Sequence, residues 1–301
     1  MTMDDDVVAL TVALAEIDSV NPSLVEGAAG EAGVADYVAR WFTVRGFEVH
    51  VAEVAAGRLN VVAVKRGGGG GRSLLLNAHL DTVGAARPET MVVGVEGDRI
   101  LGRGVLDTKG GLAAAMVAAA SFAAGELAGD LIVAAVADEE YASLGTEVLV
   151  REWSADAAVV LEPTGLVVCP SHRGFAVIEA VFSGRAAHTS RPDRGINAVH
   201  AAADAVRAVV GLDARWAGAE PNITKRPSVL VSRIASGSET FTVPPRCEMV
   251  VEVRTTANDP QGQADAVHAT IRTSGTGGAT VKTSTAFARP PLGVDEQHPL
   301  V

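Results

Sequence analysis

Residues 73–81, SLLLNAHLD, form a nearly unbroken apolar run that ends in a histidine and an aspartate. A run of this kind is typical of a strand covered on both faces, as in sheets with helices packed above and below. The same design recurs downstream. DLIVAAVADEE (130–140) and DAAVVLEPT (156–164) each read as an apolar strand that spills into an acidic loop. Between these strands lie helical stretches, GGLAAAMVAAASFAAG (110–125) and SLGTEVLVREW (143–153). Upstream, apolar spacing predicts two helices, in VVALTVALAEI (7–17) and VADYVARWF (34–42), and then strands at 47–54 and 60–65. The glycine run 67–71 reads as a flexible hairpin link, and 91–101 as a further hairpin. Strands alternating with helices predict an α/β domain with a mixed, largely parallel sheet and helices on both faces.

After His172 the pattern changes. Strand 175–183, helix 195–210, strands 228–235 and 247–254, helix 260–273 and strand 279–286 follow in the order β-α-β-β-α-β, a ferredoxin-like α+β arrangement. The expected division is a catalytic domain over 1–173 and an inserted domain over 174–287. Residues 288–301 then read as the start of a segment returning to the first domain.

Composition narrows the function classes. The 301 residues are 48% hydrophobic and 20% charged, ordinary values for a globular protein, and only 4% aromatic, so aliphatic residues must fill the core. With 25 basic and 36 acidic residues the net charge is −11. A bulk field of that sign disfavours nucleic acid and anionic membranes as partners. The acidic start, MTMDDDVVAL, does not resemble a secretory signal. Residues 110–125 are too short to span a bilayer. Two cysteines, Cys169 and Cys247, are too few for a disulfide framework and read as free thiols in a reducing cytoplasm.

Four clusters of metal-type ligands fall at strand ends or in the following loops, where open α/β sheets place their sites. In NAHLDTVG, His79 and Asp81 are two apart, so strand alternation points both to one side and lets Asp81 hold the second imidazole nitrogen. In GRGVLDTKGG, Asp107 precedes a helix and reads equally as an N-cap. In VADEEYASLGTE, Glu139 and Glu140 point in different directions, so one can ligate while the other acts as a base; a solvated acidic loop is the plain alternative. In VVLEPT, Glu162 ends a buried strand, where a carboxylate needs a partner or a metal. One histidine, three carboxylates and a spare glutamate suit a two-metal hydrolytic site. Mixed nitrogen and oxygen donors favour zinc, with cobalt or manganese as substitutes.

The set NAHLDTV, GRGVLDTKGGLAAAM, ADEE and LEPT resembles the di-zinc metallopeptidase and aminoacylase family, whose members include acetylornithine deacetylase, succinyl-diaminopimelate desuccinylase and carboxypeptidase G. The resemblance implies that His79 and Glu162 each bind one zinc, that Asp107 bridges the pair, and that Glu140 is a further ligand. It makes Glu139 the general base and Asp81 the residue that orients His79. The inserted domain resembles the family's lid, through which subunits dimerise. Its motif GRAAHTSRPDRGINAV supplies His188, similar to a lid histidine that reaches a neighbouring active site and stabilises the oxyanion. Arg254, in VEVRT, matches a lid arginine that holds a substrate carboxylate. Phe241 stands where the family often has an asparagine. The family's C-terminal part, with the histidine that closes the second metal site, is expected to be lacking; His298, in EQHPLV, sits in what resembles the start of the returning segment.

The expected activity is zinc-dependent hydrolysis of amide bonds in N-acyl amino acids or small peptides, acetylornithine deacetylation being the first choice. Dipeptidase or carboxypeptidase action is the alternative within the family. A non-catalytic metal-binding or dimerisation protein is the alternative from another class. No Gly-x-Ser-x-Gly elbow is present, which speaks against a serine hydrolase.

Overall fold

The computed structural model describes residues 6–84, 92–123 and 125–301. The chain divides into two compact units, Met1–Val167 and Val168–Val301.

The first unit opens with α1 (Val7–Glu16) and α2 (Ala32–Thr43). Asp6 caps α1, accepting from the Val8 amide at 3.0 Å. Then come β1 (Glu48–Ala55), β2 (Arg58–Lys65), β3 (Leu74–His79) and a short hairpin of β4 (Gly94–Glu96) and β5 (Arg99–Leu101). Met91, the first residue of the hairpin expected from sequence, lies outside the described residues. Helix α3 (Gly110–Ala120), β6 (Leu131–Val136), α4 (Leu144–Glu152) and β7 (Ala157–Val160) complete the unit.

The five strands align in the order β1-β2-β6-β3-β7, with β1, β2 and β6 antiparallel to their neighbours in turn and β6, β3 and β7 parallel. All six residues of the central strand β6 are buried, and they alternate between two cores, which shows why it is apolar throughout. Leu131, Val133 and Ala135 join the core formed with α1, α2 and α3, while Ile132, Ala134 and Val136 join a second core under α4 with Leu149. With helices on both faces, neither side of β6 has use for a polar residue. Burying each Val or Ile here contributes about 1.5–3 kcal/mol. Helix α3, whose alanines and glycines permit close approach, turns Leu112, Ala113 and Met116 into the larger core.

The glycine run 67–71 is not a hairpin link. The strands it joins, β2 and β3, are separated by β6. Its backbone lies against residues 127–129, with Gly68 N donating to Leu127 O at 2.7 Å and Gly69 N to Ala128 O at 3.0 Å. A Cβ on Gly67 or Gly71 would come within 2.4 or 2.5 Å of the 128–129 backbone. Close packing, not flexibility, is what these two positions require.

The second unit begins with β8 (Ser171–His172) and β9 (Gly174–Ser183), continues through α5 (Ala198–Ala219), β10 (Ser228–Ser236), β11 (Arg246–Thr255), α6 (Pro260–Thr273) and β12 (Thr280–Arg289), and ends with β13 (Leu292–Gly293). Its four-stranded sheet has the order β10-β11-β9-β12, antiparallel throughout, with α5 and α6 packed on one face. That is the ferredoxin-like arrangement. β13 pairs with β8. Helix α5 runs nine residues past the expected end at Val210, because Gly211 is helical and Leu212 beyond it reaches the core. Among the described residues, no helix is long and apolar enough to cross a membrane.

Candidate metal centre

His79 is the last residue of β3 and is 1% exposed. Its Nδ1 lies 2.8 Å from the main-chain carbonyl of Asp81. A carbonyl can only accept, so Nδ1 carries the proton and Nε2 is turned toward the acidic loops. There Asp107 Oδ1 is 2.9 Å away and Glu162 Oε1 4.0 Å away. The contact that fixes the ring is therefore made by the Asp81 main chain; the Asp81 carboxylate oxygen is 3.6 Å from Nδ1.

The Asp81 carboxylate has another set of partners. It accepts from the amides of Glu139 and Glu140, at 3.0 and 3.1 Å, and from the Asn21 side chain at 2.7 Å. Two successive amides on one carboxylate fix the backbone of the loop after β6, so Glu139 and Glu140 diverge. Donor atoms of His79, Asp107 and Glu140 lie within 4.8 Å of one another, as do those of His79, Glu139 and Glu162. The structure thus gathers five of the residues singled out from the sequence into two overlapping triads that share one imidazole. Asp107 comes from the stretch before α3, Glu162 from two residues beyond β7. Nearby, the buried Lys109 donates from Nζ to the Ile17 carbonyl at 2.8 Å, anchoring the Asp107 segment to the end of α1.

Charge is crowded here. Burial pushes the Glu139 carboxyl up to about 7, and the carboxylates of Glu162, Glu140 and Asp81 add to the rise against the opposing pull of His79. Glu140 and Glu162 are raised as well, burial again being the main cause. Asp107 is held low by its hydrogen bond to His79. Burial works against a charged His79, yet Asp107 and Asp81 overcome it and raise the imidazole to about 11. Four carboxylates around one imidazole, three of them pushed toward the neutral form, make a pocket short of positive charge. One nitrogen and several hard oxygens are the donor set that a divalent ion such as zinc accepts, so the residues present fit a metal.

His188 and Arg254 belong to the second unit. His188 Nδ1 pairs with Ser190 Oγ at 2.9 Å, and its backbone bridges to Thr242. Phe241, exposed, accepts from the Thr189 amide through its carbonyl. Arg254 on β11 pairs with Glu252 and stacks over the Phe175 ring, 5.2 Å from its centroid. His298 Nδ1 accepts from the Leu300 amide, and His298 joins neither triad.

Sequence patterns did not single out the polar residues behind the acidic loop. Glu31, Arg58, Asp138 and Asn21 are all buried and bonded to one another. They come from four separate segments, and each is an isolated polar residue in its own stretch. Only their adjacency to apolar elements, where an unpaired charge would be costly, could have flagged them.

Comparison with known proteins gives the chain's relatives. Residues 75–283 match the model of Peptidase family M20/M25/M40. The chain is 32% identical over 226 residues to an acetylornithine deacetylase of Myxococcus xanthus, covering 71% of this chain and 58% of that one. It is 32% identical over 280 residues to a protein of Aspergillus terreus named "Probable carboxypeptidase", covering 87% of this chain and 64% of the relative. The chain thus spans less than two thirds of the length of these two relatives. The fold is shared with the crystal structure of the M20 family metallo-carboxypeptidase Sso-CP2 of Sulfolobus solfataricus, at a TM-score of 0.72 and 15% identity, over 95% of this chain and 79% of that one.

Proposed function

The chain belongs to peptidase family M20/M25/M40, and from that premise we propose that its first unit is a zinc-dependent hydrolytic centre for amide bonds in N-acyl amino acids or small peptides. One observation carries the reading: a buried imidazole with Nε2 directed at carboxylates from three different loops, beside a glutamate whose carboxyl sits near neutrality. By family resemblance, His79, Asp107, Glu140 and Glu162 would hold two ions, and cobalt or manganese could replace zinc. The metal, when bound, polarises the scissile carbonyl and acidifies a water.

The chain's own groups do the rest. Glu139, with a carboxyl held near neutral by burial, takes a proton from the attacking water at its carboxylate oxygen and delivers it to the leaving amine nitrogen. Asp81 keeps Glu139 aimed by accepting its amide and keeps His79 Nε2 free by accepting Nδ1–H at its carbonyl. By family resemblance, His188 would donate to the developing oxyanion and Arg254 would pair with a substrate carboxylate.

An N-acetylated amino acid such as acetylornithine is the first substrate to try, because the Myxococcus xanthus relative bears that activity in its name. Dipeptides and carboxypeptidase substrates follow, as the Aspergillus terreus relative suggests. A homodimer through the second unit is supported by β10, an edge strand on which Leu230 and Ile234 are 55% and 49% exposed. A chain with only two cysteines, Cys169 and Cys247, suits a reducing cytoplasm.

The decisive test pairs zinc stoichiometry with hydrolysis of N-acetylornithine and a dipeptide panel. Glu139→Gln should keep both ions and lose about 10²–10⁴-fold in turnover, the usual worth of a general base. Equal turnover in the variant overturns the role of Glu139. Metal bound without turnover of any substrate favours the binding-protein reading instead.

A further inference from the structure

The loop that carries Glu139 and Glu140 is held from behind by a buried polar network that reaches it through Asp138 and Asp81. Glu31, at the N-cap of α2, receives Arg58 in a two-pronged pair: Nε to Oε2 and Nη2 to Oε1, both at 2.6 Å. Arg58, the first residue of β2, also donates from Nη2 to Asp138 Oδ1 at 3.0 Å and from Nη1 to Ser23 Oγ at 3.2 Å. Glu31 Oε1 accepts the Asp138 amide at 3.1 Å. Asn21 closes the chain, its side-chain nitrogen donating to Asp138 Oδ1 at 3.0 Å and to Asp81 Oδ2 at 2.7 Å. Asp81 in turn accepts the Glu139 and Glu140 amides. Arg58 supplies the guanidinium of this network, and Glu31, Asp138, Asp81 and Asn21 are fully buried.

Asp138 has a backbone φ of 64°, in the left-handed region that non-glycine residues rarely occupy. A residue holds that conformation when its surroundings over-determine it. Here they do so at three points: its amide on Glu31, its carboxylate on Arg58 and Asn21, and its carbonyl accepting from the Ser143 amide. Turning the chain at Asp138 is what presents two consecutive amides to Asp81 and sends the next two carboxylates apart.

We propose that Arg58 is a positioning residue of the centre: through Glu31, Asp138 and Asn21 it locks the backbone at 138–140 and thereby sets the divergence of Glu139 and Glu140. The inference rests on the reading of those two glutamates as base and ligand, but the lock itself can be measured without metal. A lysine at position 58 keeps the charge and cannot span Glu31 and Asp138 at once.

The experiment compares the full chain with Arg58→Lys, with Glu31→Gln in case the first variant folds poorly, and with Val38→Ala, a control in the α2 core. Amide hydrogen exchange at Glu139 and Glu140 is read by NMR in excess chelator, and Co²⁺ is titrated separately by visible absorption. Either network variant should speed exchange at the two amides at least about tenfold relative to core amides of β6, whereas Val38→Ala leaves that ratio alone. Co²⁺ affinity should fall about 10–100-fold with an altered band shape, as for partners one step behind metal ligands. If the network variants move the two amides no more than Val38→Ala does, the lock is refuted and the network is only structural. If the parent chain itself takes up no Co²⁺ while exchange follows the expected pattern, the positioning role stands and the hydrolase reading falls.

Discussion

Glu139 and Glu140 are adjacent, yet their surroundings differ, and the proposed function gives them different tasks. Glu139 is the one whose carboxyl burial carries to about 7. A base works only when deprotonated, so kcat/KM should rise with pH through an inflection at or below about 7, the bound ions pulling it down from there. A pH–rate profile checks this, and a flat profile from pH 5 to 8 would count against Glu139. The same shift has a thermal consequence. With a folded value above the ordinary 4.5, the folded state holds its proton longer than the unfolded one, so stability is lost as pH rises from about 4.5 through about 7. In chelator, Glu139→Gln should therefore melt above the parent at pH 8, by up to roughly 3 kcal/mol, with the gap closing toward pH 4. The residues of the two triads were legible in the sequence because each stands at the end of an apolar strand or beside glycines. Arg58 and Glu31 were not, since their meaning lies in a pairing 27 positions apart that no periodicity encodes.

Helices and strands follow their apolar spacing closely, and two glycines show where spacing alone misleads. Gly211 reads as a helix end, but α5 continues through it because Leu212 is drawn into the core and Asp213 accepts the Val229 amide. A Cβ at 211 would meet only Arg215 Nη1 at 3.7 Å. Gly211→Ala should stabilise the chain by about 0.5–1 kcal/mol in urea titration, the helix-propensity difference. Gly145, in the first turn of α4, is the opposite case. A Cβ there would stand 2.5 Å from Ala137 N, Ala137 O and Asn60 Oδ1. Those atoms belong to the clamp in which Asn60 accepts from Ala137 and donates to Gly145. Gly145→Ala must push α4 away from the strand that leads to Glu139. It should destabilise by about 2–4 kcal/mol, in line with overpacking against backbone, and weaken metal binding with it. A change within 0.5 kcal/mol would show that α4 yields freely.

At the scale of the whole chain, two compact units with separate cores carry different parts of the proposed chemistry, the triads in the first and His188 and Arg254 in the second. The order of elements changes from alternating strands and helices to the split pattern after His172, a few residues beyond the division at Val167 and Val168. A ligand stabilises only the unit that binds it. Zinc at a hundred times its Kd should add about 2.7 kcal/mol to the unfolding of the first unit and leave the second transition in place. Calorimetry with zinc and with chelator reads this directly, and a shift of both transitions together would mean that the units melt as one. The turn at Asp138 has a consequence for how such a protein can change over generations. Its conformation, its charge and its two acceptor bonds restrict the residues that can stand there, and Glu31, Arg58 and Asn21 are restricted with it. A saturation library over these positions should return few functional alleles, whereas one over the exposed loop around His188 and Phe241 should return many. Variation is then open to selection around that loop of the second unit, while the polar network behind the candidate metal centre of the first is inherited almost unaltered.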